Sequence, residues 1–299
     1  MSSKWNWRPF VACCESYLLI RYSDTNPWTK GLILVNPITR IYRILPTAYH
    51  DSISLYEYER IVRYGMCHCL NDDFKVVMFV LYEGSQRNRP REIEVYSLRT
   101  NLWRCIECET TTGQRIGDPV LVQNHLLVMF FFDNYHRLTG IGCFDVKAER
   151  WSNDVLLPDT ILAGIDSNPI YEGQYYNLGL LDGKLCFSWY DENKATYTTW
   201  VMKNYGVKAS WVKLMSVLVK GPEEIFNPIA YRKGWSHELL CVTDFSGKCF
   251  WFNFRDKQFT ETEFDSDGLD TNYLCYAWIC KGSLLNFPGG QPIHSVSNE

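Results

Sequence analysis

Short apolar runs rich in β-branched and aromatic residues alternate with polar turns down most of the chain, and helix-length amphipathic periods are scarce. Strands are predicted over 17–21, 32–35, 76–82, 92–96, 120–122, 126–132, 179–181, 184–189 and 238–243. Tight polar turns join several of them, among them Gln123-Asn124-His125 and Asp182-Gly183, the latter a strong two-residue hairpin signal. The run 126–132 is apolar at every position yet far shorter than the roughly 20 residues of a membrane-spanning helix, so it predicts a strand buried on both faces. Helical turns are expected only at 54–61 and 214–220. The pattern predicts an all-β fold made of antiparallel hairpins.

One unit recurs. An apolar strand ends in an aromatic or Val, a polar turn opens with Asn, Ser or Asp, and a second aromatic follows seven residues after the first. Val35 leads to Tyr42, Tyr96 to Trp103, Phe144 to Trp151 and Phe252 to Phe259, and a copy stretched by two residues runs from Met202 to Trp211. The second aromatics stand at 42, 103, 151, 211 and 259, spaced by 61, 48, 60 and 48 residues. A period near 50 residues marks kelch-like blades, four antiparallel strands each, which bury their faces against their neighbours. Insertions at 47–60, and at 166–176 together with 191–199, account for the two longer intervals. A kelch-like β-propeller of five or six blades is therefore expected, with 272–285 as its last strand pair and an incomplete or weakly joined closing blade. The corresponding boundaries are an N-terminal segment 1–14 available as a closing strand, the propeller over 15–285, and a flexible C-terminal tail over 286–299.

With 46% hydrophobic and 15% aromatic residues, the 299-residue chain can bury a large core. Its formal charge of -4 supplies no global positive field, so neither nucleic acid nor membrane is an expected partner. No apolar stretch followed by a small-residue cleavage site stands near Met1, which argues for the cell interior, cytoplasm or nucleus. The 12 cysteines are then expected to remain reduced and to serve as small buried hydrophobes. Cys67-His68-Cys69 with Cys105 and Cys108 offers enough sulfur and nitrogen for tetrahedral zinc. Knuckle ligands, however, sit on a turn, whereas Cys67 and Cys69 point to one face of a strand, so core packing is the expected role.

Asp265-Ser266-Asp267-Gly268 hints at a calcium loop but lacks the glutamate at its twelfth position, and reads as an acidic hairpin. The sequence has no nucleophile elbow, no His-Glu-x-x-His, no phosphate-cradling glycine loop and no dinucleotide fingerprint, and its six histidines lack metal-ligand spacing. No cofactor, metal or catalytic residue is assigned, and the chain is not expected to be an enzyme. A propeller enzyme, the remaining alternative, needs a metal or paired carboxylates around its channel.

Four ordered stretches carry a family resemblance. Leu32-Ile33-Leu34-Val35-Asn36-Pro37-Ile38-Thr39-Arg40 resembles the WNPSTR signature of plant F-box-associated domains, and Asp72-Asp73-Phe74-Lys75-Val76-Val77 resembles their DYKVV. Residues 95–104, VYSLRTNLWR, are similar to VYSLRTDSWR, and residues 200–213, WVMKNYGVKASWVK, to WVMKEYGVKESWTK. The similarity runs from about residue 11 to about residue 285 and is nearest to the S-locus type of F-box protein. In that family an N-terminal F-box docks on the Skp adaptor of a cullin-based ubiquitin ligase, while the propeller-like domain selects the protein to be ubiquitinated. The resemblance thus implies a substrate-recognition domain whose partner is a protein, in ubiquitin-dependent degradation.

The propeller pattern begins within the first twenty residues, with no recognisable F-box ahead of it. Skp adaptor and cullin ligase are accordingly expected partners only if an F-box is supplied. The alternative is an F-box-less homologue that binds or sequesters a partner without recruiting the ligase.

Function without chemistry is expected in loops at the propeller rim, where rigid strands hold several segments on one surface. Trp28, within the polar turn 23–30, suits an interface anchor as well as a ring folded back on the strand ends. Arg87, Arg89 and Arg91, three arginines in five residues, suit a bidentate grip on carboxylates or phosphates, or a solvated hairpin tip. Tyr171 and Tyr175, in the segment 166–176, suit amphipathic contact with a partner or packing between blades.

Overall fold

The computed structural model describes residues 10–23, 30–48, 60–69, 73–82, 92–106, 115–132, 138–152, 155–166, 176–220, 226–243, 248–262 and 291–292. They form five antiparallel sheets arranged as a five-bladed β-propeller. Blade 1 holds β1 (Phe10–Cys14), β2 (Tyr17–Ser23), β3 (Lys30–Asn36) and β4 (Ile41–Ile44). Blade 2 holds β5 (Arg60–Cys69), β6 (Asp73–Tyr82), β7 (Glu92–Ser97) and β8 (Leu102–Ile106).

In blade 3 the inner strand is split into β9 (Arg115–Ile116) and β10 (Val120–Val122), both paired to β11 (Leu126–Phe132). That blade continues with β12 (Leu138–Asp145) and β13 (Arg150–Ser152), and a helix, α1 (Asp159–Asp166), follows it. Blade 4 holds β14 (Tyr176–Leu181), β15 (Lys184–Asp191), β16 (Thr196–Met202) and β17 (Trp211–Leu218). Blade 5 holds β18 (Phe226–Arg232), β19 (Trp235–Thr243), β20 (Cys249–Asn253) and β21 (Gln258–Thr262). Lastly β22 (Gln291–Pro292), in the segment read from sequence as a tail, pairs with β4, so the first and last strands share blade 1.

The first strand of each blade is innermost: β1 lies beside β5, β5 beside β10, β10 beside β14, and β14 beside β18. Period-two alternation then sends each strand's side chains to two different neighbours. Along β6, Phe74, Val76, Met78 and Val80 face blade 1, while Val77, Phe79 and Leu81 face blade 3. Along β11, Leu127 and Met129 face blade 2, whereas Leu126, Val128, Phe130 and Phe132 face blade 4. This is why the all-apolar run 126–132 is a strand buried on both sides.

Each fully buried Leu, Met or Phe contributes about 1.5–3 kcal/mol relative to exposure, so the inter-blade layers hold the ring together. Four such layers join blades 1 to 2, 2 to 3, 3 to 4 and 4 to 5; among the described residues none joins 5 to 1. Gly65 of β5 lets blades 2 and 3 approach closely, for a Cβ there would stand 2.4 Å from Leu127 Cδ1.

The recurring sequence unit is the hairpin between the third and fourth strands. Its two apolar ends are cross-strand partners: Val35 with Tyr42, Tyr96 with Trp103, Phe144 with Trp151, Met202 with Trp211 and Phe252 with Phe259. In the four unstretched copies the residue five after the first apolar position has positive φ: Arg40 (55°), Asn101 (59°), Glu149 (53°) and Lys257 (59°). The polar residue opening each turn caps it. Asn36 Oδ1 accepts from Ile38 N and Thr39 N at 3.0 and 3.3 Å, Asp145 Oδ1 from Lys147 N and Ala148 N at 2.9 and 3.0 Å, and Asn253 Oδ1 from Arg255 N at 2.9 Å.

Three sequence expectations are corrected. Residues 214–218 lie in β17 and not in a helical turn; Met215 and Val217 are buried while Ser216 and Leu218 are exposed, a two-residue period. Residues 191–199 are no insertion but a regular hairpin between β15 and β16, closed by Asp191, which accepts from Lys194 N at 3.2 Å and from Lys194 Nζ at 2.6 Å. The helix α1 was not anticipated. It starts where the Pro158 carbonyl accepts from Ile161 N at 2.9 Å, and it exists to bury Ile161 against Met202 and Trp211. Of the expected helical turn 54–61, Arg60 and Ile61 open β5 and the rest lies outside the described residues, as does the expected last strand pair 272–285.

Candidate functional site

The meander gives the propeller two unlike faces. One carries the turns between first and second strands and those between third and fourth. These are laced together in blades 2, 3 and 5, Leu98 N donating to Phe74 O, Val146 N to His125 O and Phe254 N to His237 O, all at 2.9 Å. The opposite face receives the links between second and third strands and the passages from blade to blade. Strand ends bordering the residues singled out from sequence, Ser23 and Lys30, Tyr82 and Glu92, Ser152 and Tyr176, all open on that opposite face. Trp28, Arg87, Arg89, Arg91, Tyr171 and Tyr175 themselves lie outside the described residues.

Polar contacts tie the neighbouring inner strands and their turns. Glu15, in the β1–β2 turn, pairs with His68 Nδ1 of β5 at 3.2 Å, and Arg63 Nε of β5 pairs with Asp118, between β9 and β10, at 3.1 Å. The amide of Asn177 on β14 donates to Asn227 Oδ1 on β18, which also accepts from Tyr197 OH at 3.3 Å. Farther out, Glu149 in the β12–β13 turn accepts from Lys75 Nζ at 2.8 Å and from Arg104, joining blade 3 to two strands of blade 2, β6 and β8. These partners are distant in sequence, and only the fold brings them together.

The nine described cysteines are thiols, not disulfides, and burial dominates the chemistry of the most enclosed of them. It pushes Cys14 and Cys186 up to about 12 and Cys241 further still. Burial, reinforced by its hydrogen bond to Cys143 Sγ at 3.3 Å, also raises Tyr205. Among the described residues no three His, Cys, Asp or Glu converge as a metal site, and no helix is long and apolar enough to cross a membrane.

The chain matches the model of the F-box associated beta propeller domain over residues 6–272. It belongs to that family. The F-box-associated propeller is 29% identical over 279 residues to F-box protein At4g22390 of Arabidopsis thaliana, covering 84% of this chain and 65% of the relative. It is 28% identical over 250 residues to F-box protein CPR1 of the same organism, covering 76% and 58%. The propeller therefore spans roughly three-fifths of the length of these relatives. Among solved structures, an acylaminoacyl peptidase from Pyrococcus horikoshii aligns over 84% of this chain and 39% of its own, with a TM-score of 0.44 and 9% identity.

Sequence reasoning missed the inter-blade ties. Asp73, which ties strands within blade 2, did carry a signal, since it sits in the stretch resembling DYKVV. It is buried, and its carboxylate caps the β7–β8 turn by accepting from Ser97 Oγ at 2.7 Å and from Arg99 N at 2.9 Å.

Proposed function

We propose that this F-box-associated propeller is a non-enzymatic protein-recognition domain, the part of a ubiquitin-ligase substrate receptor that selects the protein to be degraded. The observation that carries the reading is the family match across residues 6–272, shared with relatives named as F-box proteins. The fold's division of labour supports it. Compact capped turns occupy one face, and the longer connections bearing Trp28, Arg87, Arg89, Arg91, Tyr171 and Tyr175 depart from the other. Tryptophan, tyrosine and arginine are the side chains that dominate protein interfaces, because they bury large area or grip carboxylates bidentately.

Quantitative affinity capture with the purified chain tests this. A partner should be retained by a variant altered on the capped-turn face, Lys147→Ala with Arg255→Ala, and lost with Arg87→Ala, Arg89→Ala and Arg91→Ala combined or with Trp28→Ala. Retention by every variant on the loop-bearing face would overturn the reading. Ubiquitination of that partner is then measured with Skp adaptor and cullin present, for the chain alone and with an F-box fused ahead of Met1. Turnover only with the fused F-box assigns ligase recruitment to a module outside this chain, and partner binding without turnover in either form favours sequestration.

A further inference from the structure

Cys67 and Cys69 stand two residues apart on β5, so their side chains project from the same face of the strand. Their sulfurs are 3.3 Å apart, within hydrogen-bonding distance. Cys67 is fully buried in the layer between blades 2 and 3, while Cys69, at the strand's end beside the capped-turn face, keeps partial access to solvent. The intervening His68 points the other way, stacked on Phe74 at 4.3 Å and paired with Glu15.

The surroundings make the two thiols unlike. The hydrogen bond from Cys67 draws Cys69 down to about 7, with the Lys75 ammonium assisting, against burial and the carboxylates of Asp73 and Glu149. That same hydrogen bond, together with burial and the neighbouring sulfurs of Cys69 and Cys14, drives Cys67 far up, with Lys75 opposing. A partly buried thiol that ionises near neutral pH thus sits next to a thiol held protonated and able to resolve it, the arrangement of peroxide-sensing cysteines.

We propose that Cys67 and Cys69 form a peroxide-responsive dithiol that closes to an intramolecular disulfide. The Cys69 thiolate attacks one oxygen of a hydroperoxide; the O–O bond breaks, an S–OH forms, and the alcohol or water leaves after taking a proton from solvent. Cys67 then attacks the Cys69 sulfur, its proton passing to the departing hydroxide, so that an S–S bond forms, the S–O bond breaks and water leaves. The dithiol gives up two electrons and the peroxide accepts them.

Closure has a structural consequence. Residues two apart on an extended strand have Cα atoms about 6.4–6.8 Å apart, at the outer limit of about 6.8 Å for a disulfide. The end of β5 must therefore contract, loosening its pairing of Cys67 with Lys75 and of Cys69 with Asp73. Asp73 is the cap of the β7–β8 turn, so oxidation is felt on the capped-turn face. A bridge under such strain is readily reduced again.

The test is differential alkylation of the folded chain after hydrogen peroxide, followed by tryptic mass spectrometry. Residues 64–75 form one tryptic peptide holding Cys67 and Cys69 and no other cysteine. The expected product is that peptide about 2 Da lighter and carrying no alkyl group, formed at least about tenfold faster than exposed Cys105 is oxidised. Formation should slow about tenfold or more between about pH 8 and pH 5.5, as the Cys69 thiolate is protonated. In Cys67→Ser, Cys69 should stop at a sulfenic acid trapped by dimedone. Two alkyl groups on the wild-type peptide after peroxide, or a disulfide that forms as fast in urea as in the folded chain, would overturn the proposal, and both readings use the wild-type protein alone.

Discussion

The indole N–H of Trp103, on the outer strand β8 of blade 2, donates to the backbone carbonyl of Pro46, in the passage leaving blade 1, at 2.7 Å. Trp211 repeats the contact two blades on, its N–H reaching the Leu156 carbonyl at 3.1 Å beyond blade 3. In these two copies the second aromatic of the recurring unit is thus both a cross-strand partner within its own blade and a hook on the connection from the blade before. Trp103→Phe keeps the ring contact with Tyr96, at 5.3 Å, but drops the hook. A loss of about 0.5–1.5 kcal/mol in urea denaturation is expected. Trp211→Ala, which empties a buried site in the layer between blades 3 and 4, should lose about 3–5 kcal/mol.

That double duty explains how much of the fold was legible. A pair of apolar residues seven apart around a polar turn reports a hairpin whichever sheet contains it, and the spacing of the hairpins reports the blades. Alternation along 126–132 was invisible because both faces of β11 are buried, yet the absence of alternation was itself the signal. The helix α1 escaped because its stability lies in Ile161 packing on residues some forty positions away. Ties such as Arg63 to Asp118 were unreadable for the same reason, since charges on two strands carry no mark of which strands will be neighbours. The candidate binding residues were legible only as residue types placed in connections, and topology adds which face those connections leave from.

Glu149 makes a second inter-blade relationship testable. It and Lys75 are only 16% and 17% exposed, so removing the carboxylate leaves an ammonium with diminished compensation in a partly dry site. Glu149→Gln is expected to destabilise by about 1–3 kcal/mol, with weak dependence on salt. Arg104, 56% exposed, also reaches Glu149, and Arg104→Ala should change stability by less than about 1 kcal/mol. Equal losses from the two variants would show that Lys75 contributes nothing beyond a surface pair.

The shared left-handed position supplies a third prediction. Lys257 is exposed, with φ of 59°, and its N–H donates to Asn253 O at 2.9 Å. A non-glycine residue there carries about 1 kcal/mol of strain, partly offset by the lower chain entropy that any side chain brings. Lys257→Gly should therefore leave stability unchanged or raise it by up to about 1 kcal/mol, whereas Lys257→Val should lower it by about 1–2 kcal/mol. Urea midpoints for the two variants check the order, and a more stable valine variant would refute the assignment of strain to this residue.

Buried thiols set the response to alkali. Cys14, Cys186 and Cys241 have an ordinary thiol value of 9.0 when unfolded, and in the fold Cys14 and Cys186 are raised to about 12 and Cys241 further. Below pH 9 all three are protonated in both states, and their contribution to stability is complete. As pH climbs from 9 towards 12 the unfolded chain releases these protons while the folded chain retains them, so the unfolded state binds fewer protons and stability falls. Each thiol contributes up to about 1.4 kcal/mol of loss per pH unit across that window. Tyr205, raised from 10.0, steepens the fall above pH 10. Urea denaturation at a series of pH values should show this decline. Cys186→Ala and Cys241→Ala, each less stable at neutral pH through the lost sulfur, should each shallow the alkaline slope by about one thiol's share. An unchanged slope in both variants would mean that these thiols ionise within the fold as easily as outside it.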